Sequence, residues 1–425
     1  MAENQEESSY KKLLLSIGPG ILLAGAAIGV SHLVQATRAG ADYGFSLLWL
    51  LILAVVSKYP FMEFGPRFTA ATGKNLVTGY RKMGKYAYGI YAAITVGTMF
   101  IVQAAVTVVT AGLAEQLFNL GWSPVIWSGV ILLICIALLY LGHYPVLDFT
   151  MKFIISLLTI CTVIAVLMAF GTQTATEAVT EAPPSYWNPA GIGFAIAFMG
   201  WMPIPIDASV WHSIWAGERS QQTDYRPSLR EANFDFNLGY LSAGLLGLLF
   251  FLLGALVMFG SGESFSSNSV EFSVQVIQLY SQTLGDWSIP LISVAALVTM
   301  FSTTLAVTDA YPRVMSALWL ERQEQFWEDK SKTRVYHLSL VIIPTVALLI
   351  LIFLAGQAFT VLIDFVAGLS FLAAPILGWF NFKLVSGKWM PKEARPGKLY
   401  RYFSWLCLIW LVVFTIIWFY WQFLN

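Results

Sequence analysis

The hydrophobic positions of this chain fall into eleven long runs, at about 13–37, 44–66, 87–116, 124–142, 146–170, 191–216, 234–260, 286–316, 336–355, 358–382 and 402–424. A helix of roughly 20 apolar residues crosses the hydrocarbon core of a bilayer, and each run is of that order. The pattern therefore predicts an all-α integral membrane protein with eleven spans. The polar connections are about 17 to 28 residues at most, too short to form a separate core. One of them carries residues 270–284, which predict a short surface helix.

Two of the runs are interrupted. Near the middle of the sixth, Gly200-Trp201-Met202-Pro203-Ile204-Pro205-Ile206-Asp207 holds two prolines two residues apart. Each removes a backbone donor and crowds the preceding turn, so the freed carbonyls must face protein or a water-filled cavity instead of lipid. The first run carries Gly25-Ala26-Ala27-Ile28-Gly29-Val30-Ser31-His32, where paired glycines weaken the helix and two polar side chains follow. Either break alone could be a kink. Together, roughly 180 residues apart, they match the paired interruptions that mark the central site of a transporter built from inverted repeats.

Composition strengthens the membrane reading. Of 425 residues, 57% are hydrophobic and only 11% are charged, where soluble domains carry roughly 25%. The cysteines Cys135, Cys161 and Cys407 lie inside apolar runs without paired spacing and read as small hydrophobes. The polar N-terminus leads straight into the first run, with no cleavable signal peptide expected. Basic residues set an orientation. With the N-terminus in the cytoplasm, the inner connections carry Lys74, Arg81, Lys82 and Lys85, then Arg219, Arg226 and Arg230, then Arg313, Arg322, Lys330, Lys332 and Arg334, and finally the basic residues from Lys383 to Arg401. Arg38 falls on the other face, and the outer connections with Glu177 and Glu181 and at 260–287 carry no Lys or Arg. This bias places the C-terminus outside, in the plasma (inner) membrane for a prokaryotic source.

Several short motifs carry a resemblance. Ser16-Ile17-Gly18-Pro19-Gly20 enters the first span, and Ala39-Gly40-Ala41-Asp42-Tyr43-Gly44 with Leu47-Leu48-Trp49 leaves it. Arg67 followed by Ala71-Thr72-Gly73-Lys74 comes after the second span, and Met202-Pro203 lies in the sixth. In order and spacing these resemble the NRAMP family of divalent metal transporters. The resemblance implies a LeuT-like (APC superfamily) 5+5 inverted repeat with an eleventh transmembrane helix. It would divide the chain into a cytoplasmic tail at 1–12, a first repeat at 13–170, a second at 191–382 and the added span at 402–424.

The departures from that family bear on function. Its first-span signature, Asp-Pro-Gly-Asn, is replaced by Gly29-Val30-Ser31-His32, and its sixth-span Met-Pro-His reads Met202-Pro203-Ile204. The metal-binding carboxylate and amide are absent, and Met202 alone stays in register as a soft donor. The third span, around Ile101-Val102-Gln103-Ala104-Ala105-Val106, lacks the acid that would accept a proton. No metal site of the family's kind is expected. Half-helix N-termini at the breaks favour an anion or a polar neutral solute.

The expected substrate site is formed by Gly25, Gly29, Ser31, His32, Met202, Pro203, Ile204 and Asp207. Coupling or relay candidates are His32, Asp207, His212, Asp309 and Asp364, since ionisable groups inside spans are costly unless used or paired. Each has a plainer alternative: Asp207 as a helix cap, His32 as a satisfied core histidine, His212 as structural, and Asp309 and Asp364 as partners of neighbouring polar groups. Gly368-Leu369-Ser370 with Ala373-Ala374-Pro375 marks a hinge or a close helix contact in the tenth span. Four scattered histidines form no HExxH-type motif, and no phosphate-binding Gly-rich loop is present, so an enzyme and an ATP-driven pump are disfavoured. A channel filter repeat is not visible.

The expectation is a secondary active transporter working by alternating access. Its substrate is a small anion such as bicarbonate or a small polar solute; the alternative is a divalent cation, magnesium or manganese, in a rebuilt site. A non-transporting membrane receptor is the further alternative. Neither a cofactor, a nucleic acid nor an obligate protein partner is expected, only the solute and membrane lipid.

Overall fold

The computed structural model describes residues 15–141, 144–170, 182–322 and 333–424. His143, Glu177, Glu181, Lys330, Lys332 and the N-terminal tail to residue 12 lie outside them. The described chain is helical throughout its apolar runs. The first run is split into α1 (Pro19–Ala27), a π-helical turn (Ser31–Ala36) and α2 (Thr37–Tyr43). There follow α3 (Leu48–Thr72), the short α4 (Leu76–Met83), α5 (Lys85–Phe118), α6 (Pro124–Leu141) and α7 (Tyr144–Ala169). The sixth run is split into α8 (Pro189–Trp201) and α9 (Ala208–Thr223). Then come α10 (Leu229–Val257), α11 (Ser269–Leu284), α12 (Ser288–Arg322), α13 (Arg334–Phe353), α14 (Phe359–Ser386) and α15 (Lys398–Phe423). Among the described residues eight helical stretches are long and apolar enough to cross a membrane, one of them running from Ser31 to Thr72.

Local chemistry fixes where helices begin. Asn75, Asn188 and Thr333 each accept a bond from an amide of the following first turn, which satisfies one of the donors every helix start leaves unpaired. At α10 Ser228 and Glu231 cap one another's backbone amides, the reciprocal arrangement of a capping box. The surface helix expected at 270–284 is α11, packed on α5 and α7.

The bundle is ordered by burial. Most of the apolar stretch of α12 is inside the protein, 72%, against 28% for α15; α12 is thus central, while α15 covers α3 and α14 from the outside. Leu133, Leu167, Phe353, Val361, Leu406 and Ile416 are exposed, and in a helix of this hydropathy such faces meet lipid. Both halves of the first run pack on α10, α8 packs on α14, and α9 on α3. Several contacts are close enough to require glycine. A Cβ on Gly20 would stand 1.9 Å from the Asp235 carbonyl oxygen, and one on Gly200 would stand 1.9 Å from that of Ala367. Helix α14 runs unbroken through Gly368 and Pro375, and Ser370 accepts a bond from the Trp201 indole at 3.0 Å. This part of the tenth span is a close helix contact in this conformation.

Candidate functional site

The first break spans Ile28 to Val30. The Gly29 amide bonds Ala27 O and the His32 amide bonds Gly29 O, so the carbonyls of Gly25 and Ile28 lose the donors a continuous helix would give them. Thr303 on α12 supplies the replacement: its hydroxyl lies 3.0 Å from Gly25 O and 3.2 Å from Ile28 O. A Cβ on Gly29 would be 2.4 Å from Thr303 Oγ1, so only glycine lets the threonine reach. Gly25 and Gly29 therefore face α12 and shape the break from behind.

Ser31 and His32 act as a pair. His32 is fully buried. Its Nε2 lies 2.8 Å from Ala243 O on α10 and its Nδ1 lies 2.7 Å from Ser31 Oγ. A carbonyl only accepts, so Nε2 carries a proton. The Ser31 hydroxyl is also 2.8 Å from Ala27 O. The imidazole is thus committed to α10. Met202 points the same way: a Cβ on Gly247 of α10 would stand 2.6 Å from its sulfur.

The second break runs from Met202 to Asp207. Three of its carbonyls, Gly200 O, Met202 O and Ile204 O, converge on Lys58 Nζ at 2.8, 2.9 and 3.3 Å. Lys58 belongs to α3 and is fully buried. An ammonium has three donors, and all three are matched. Asp207 holds the N-cap position of α9, half-buried, and its carboxylate is near enough for its charge to act on Lys58. Lys58 is absent from the residues expected at the site, although its sequence signal is plain: a lysine inside Val55-Val56-Ser57-Lys58-Tyr59 of an apolar run calls for a partner or a role.

Between the breaks lies a small pocket of about 30 Å³, where Ser31, Thr303, Trp201, Pro203, Ile204 and Trp211 meet alanine and valine side chains. This is the room of about one water molecule. Of the expected residues, Ser31, Pro203 and Ile204 line it. His32 and Met202 turn to α10 instead, and Asp207 stands beyond the second break; the eight expected site residues therefore meet only in part, because the short first break turns His32 onto Ala243. One buried donor, the Trp211 indole N–H, is on the pocket wall, and two tyrosine hydroxyls lie further out. Trp211 Nε1 has no acceptor, and the Tyr91 and Tyr311 hydroxyls, buried beside Thr95 and Thr98, have no partner in hydrogen-bond geometry. The Trp211 and Tyr311 rings touch edge to face, 5.1 Å between centroids.

The other ionisable candidates lie apart from this pocket. Asp364 on α14 pairs with Arg38 through two bonds at 2.8 and 3.2 Å and accepts from Gln35 at 2.8 Å, while the guanidinium also covers the Phe194 ring. Asp309 accepts from Arg313 at 2.6 Å and from Tyr336 at 2.8 Å, and Arg313 also holds Glu218 of α9. His212 Nε2 stands 3.7 Å from Asp235. That carboxylate is occupied in capping α1, accepting from Gly18 N at 2.9 Å and Gly20 N at 2.7 Å. In this conformation Asp364 and Asp309 sit in contacts that tie helices together, while both ring nitrogens of His212 are buried without a hydrogen-bond partner.

Comparison with known proteins places this geometry. The model of the natural resistance-associated macrophage protein-like (Nramp) family matches residues 20–421. An uncharacterised protein of Pasteurella multocida is 34% identical over 423 residues, 98% of this chain and 93% of its own length. The metal transporter Nramp3 of Oryza sativa subsp. japonica is 26% identical over 80% of this chain and 62% of its own. A mutant of the Eremococcus coleocola manganese transporter superposes with a TM-score of 0.71 at 15% identity, covering 96% of this chain and 86% of that one. MhsT in complex with L-phenylalanine superposes with a TM-score of 0.63 at 13% identity, over 94% and 98%. The fold is accordingly LeuT-like. With two broken helices facing each other across a buried pocket, and a family match over nearly its whole length, the chain is a multi-pass membrane transporter that belongs to the Nramp family.

Proposed function

We propose that this transporter moves a small anion such as bicarbonate, or a small polar solute, in place of a transition-metal ion. The observation that carries the reading is the set of donors around the pocket. Trp211 Nε1, on the pocket wall, and the Tyr311 hydroxyl behind it are buried without acceptors, and each orphaned donor costs about 1–3 kcal/mol until something accepts from it. A solute rich in acceptor oxygens supplies what they lack. The pocket lining has hydroxyls and indoles but no carboxylate, and among the described residues no three His, Cys, Asp or Glu side chains are grouped to hold a metal ion. The pocket is smaller than bicarbonate, so loading requires the helices to part, as alternating access entails.

A divalent cation is the second reading, favoured by relatives named as metal transporters. Asp207 with the sixth-span carbonyls would be its binding group. We further propose repeats at 13–170 and 191–382 with an added span at 402–424, the N-terminus cytoplasmic and the C-terminus outside, on the basic-residue bias.

The test is calorimetric titration of the purified protein with manganese and magnesium, beside uptake of both and of bicarbonate in proteoliposomes. Bicarbonate uptake without manganese uptake is expected. Trp211→Phe, which keeps an aromatic ring but removes the N–H and part of the indole, should weaken it at least about five-fold, the worth of one hydrogen bond of about 1 kcal/mol. Manganese binding with manganese uptake would overturn the proposal, and magnesium uptake alone would establish the second reading.

A further inference from the structure

Carbonyl oxygens freed by an unwound membrane helix, at the C-terminal end of a half-helix, make a cation site: the oxygens are acceptors only, and the helix dipole adds negative potential. The second break has this form. Gly200 and Met202 sit at the C-terminal end of α8, and with Ile204 they direct three carbonyl oxygens at one point. Asp207 adds a formal negative charge nearby. What occupies the point is a side chain from another helix, Lys58, whose four-carbon stem delivers the ammonium through a fully buried position.

We infer that the Lys58 ammonium is a built-in cation, filling a carbonyl site that would otherwise take a free monovalent cation such as sodium, potassium or ammonium. The sixth-span break of this transporter is therefore filled from within and needs no inorganic cation there. Removing the side chain leaves three buried carbonyls and the Asp207 charge without their partner and exposes the site to ions from solution. The inference rests on the first reading of the substrate, because a divalent cation on the sixth-span carbonyls would have to displace Lys58; it is read by binding and not by uptake.

The experiment uses full-length protein in detergent, as wild type, Lys58→Ala and Lys58→Gln, with melting temperature followed by intrinsic tryptophan fluorescence in ammonium, methylammonium, sodium, potassium or choline chloride at constant ionic strength. A ligand that binds only the folded state raises the melting temperature saturably with concentration. The expected result is a saturable rise for Lys58→Ala in at least one small cation relative to choline, with the wild type indifferent to all five. Equal behaviour of Lys58→Ala in choline and in every small cation would overturn the inference, as would a saturable response of the wild type. Should Lys58→Ala be recoverable only when a small cation is present during purification, the inference stands. If it is recoverable in none, the claim that a free cation can replace the ammonium is refuted. Lys58→Gln, a neutral donor, is expected to be less stable than wild type; full wild-type stability would show that the positive charge is dispensable and would also overturn it.

Discussion

Thr303→Val tests whether the first break is held by a single hydroxyl. Valine keeps the shape of threonine and removes only the O–H. In the wild type that hydroxyl is 3.0 Å from Gly25 O and 3.2 Å from Ile28 O, with Thr299 O of its own helix at 3.4 Å. The amides that would serve the two first-run carbonyls in a continuous helix, those of Gly29 and His32, bond Ala27 O and Gly29 O. One proton serves one acceptor at a time, so the substitution removes one hydrogen bond from a buried pair of carbonyls. Leaving a buried acceptor unsatisfied costs about 1–3 kcal/mol, and about 2 kcal/mol is roughly a 30-fold change in a two-state equilibrium. The assay is reversible unfolding in mixed micelles on titration with a denaturing detergent, comparing wild type, Thr303→Val and Thr303→Ser. The serine variant keeps the hydroxyl and should lie much closer to wild type than the valine variant. Equal stability of wild type and Thr303→Val, or equal loss in both variants, would refute the role assigned to the hydroxyl.

Two further outcomes follow from the same contacts. Gly200→Ala places a methyl group 1.9 Å from Ala367 O and should cost about 1–3 kcal/mol or more through overpacking. Gly193→Ala, in the same helix with nothing within 4 Å, should be neutral or stabilising by about 0.5–1 kcal/mol; melting temperatures of the two variants in one detergent compare them directly. The Arg38–Asp364 pair is partly exposed, with side chains 13% and 30% accessible, so a double-mutant cycle of Arg38→Gln and Asp364→Asn should give a coupling of about 1 kcal/mol. A coupling indistinguishable from zero would mean the pair contributes nothing to holding α2 against α14.

Much of this architecture was legible in the chain. Apolar run length gives the spans because lipid leaves the backbone no hydrogen-bond partner but itself. Pro203 and Pro205, and Gly25 with Gly29, mark both breaks because each weakens the helix through local backbone chemistry. The motifs from Ser16 to Met202 pointed to the family that the whole-chain match shows.

What faces the pocket was decided elsewhere. Ser31 lines it while its neighbour His32 turns to Ala243, a difference set by how few residues the first break unwinds and by the approach of α10, 211 positions further along the chain. Lys58 reaches the sixth-span carbonyls from 142 to 146 residues away, and Thr303 reaches the first break from 275 to 278. Periodicity and punctuation report on chemistry within a few residues, so by itself the sequence determined the helices, their breaks and the family. Which buried donor meets which freed carbonyl depends on helices brought together by packing, and only the tertiary structure could decide it.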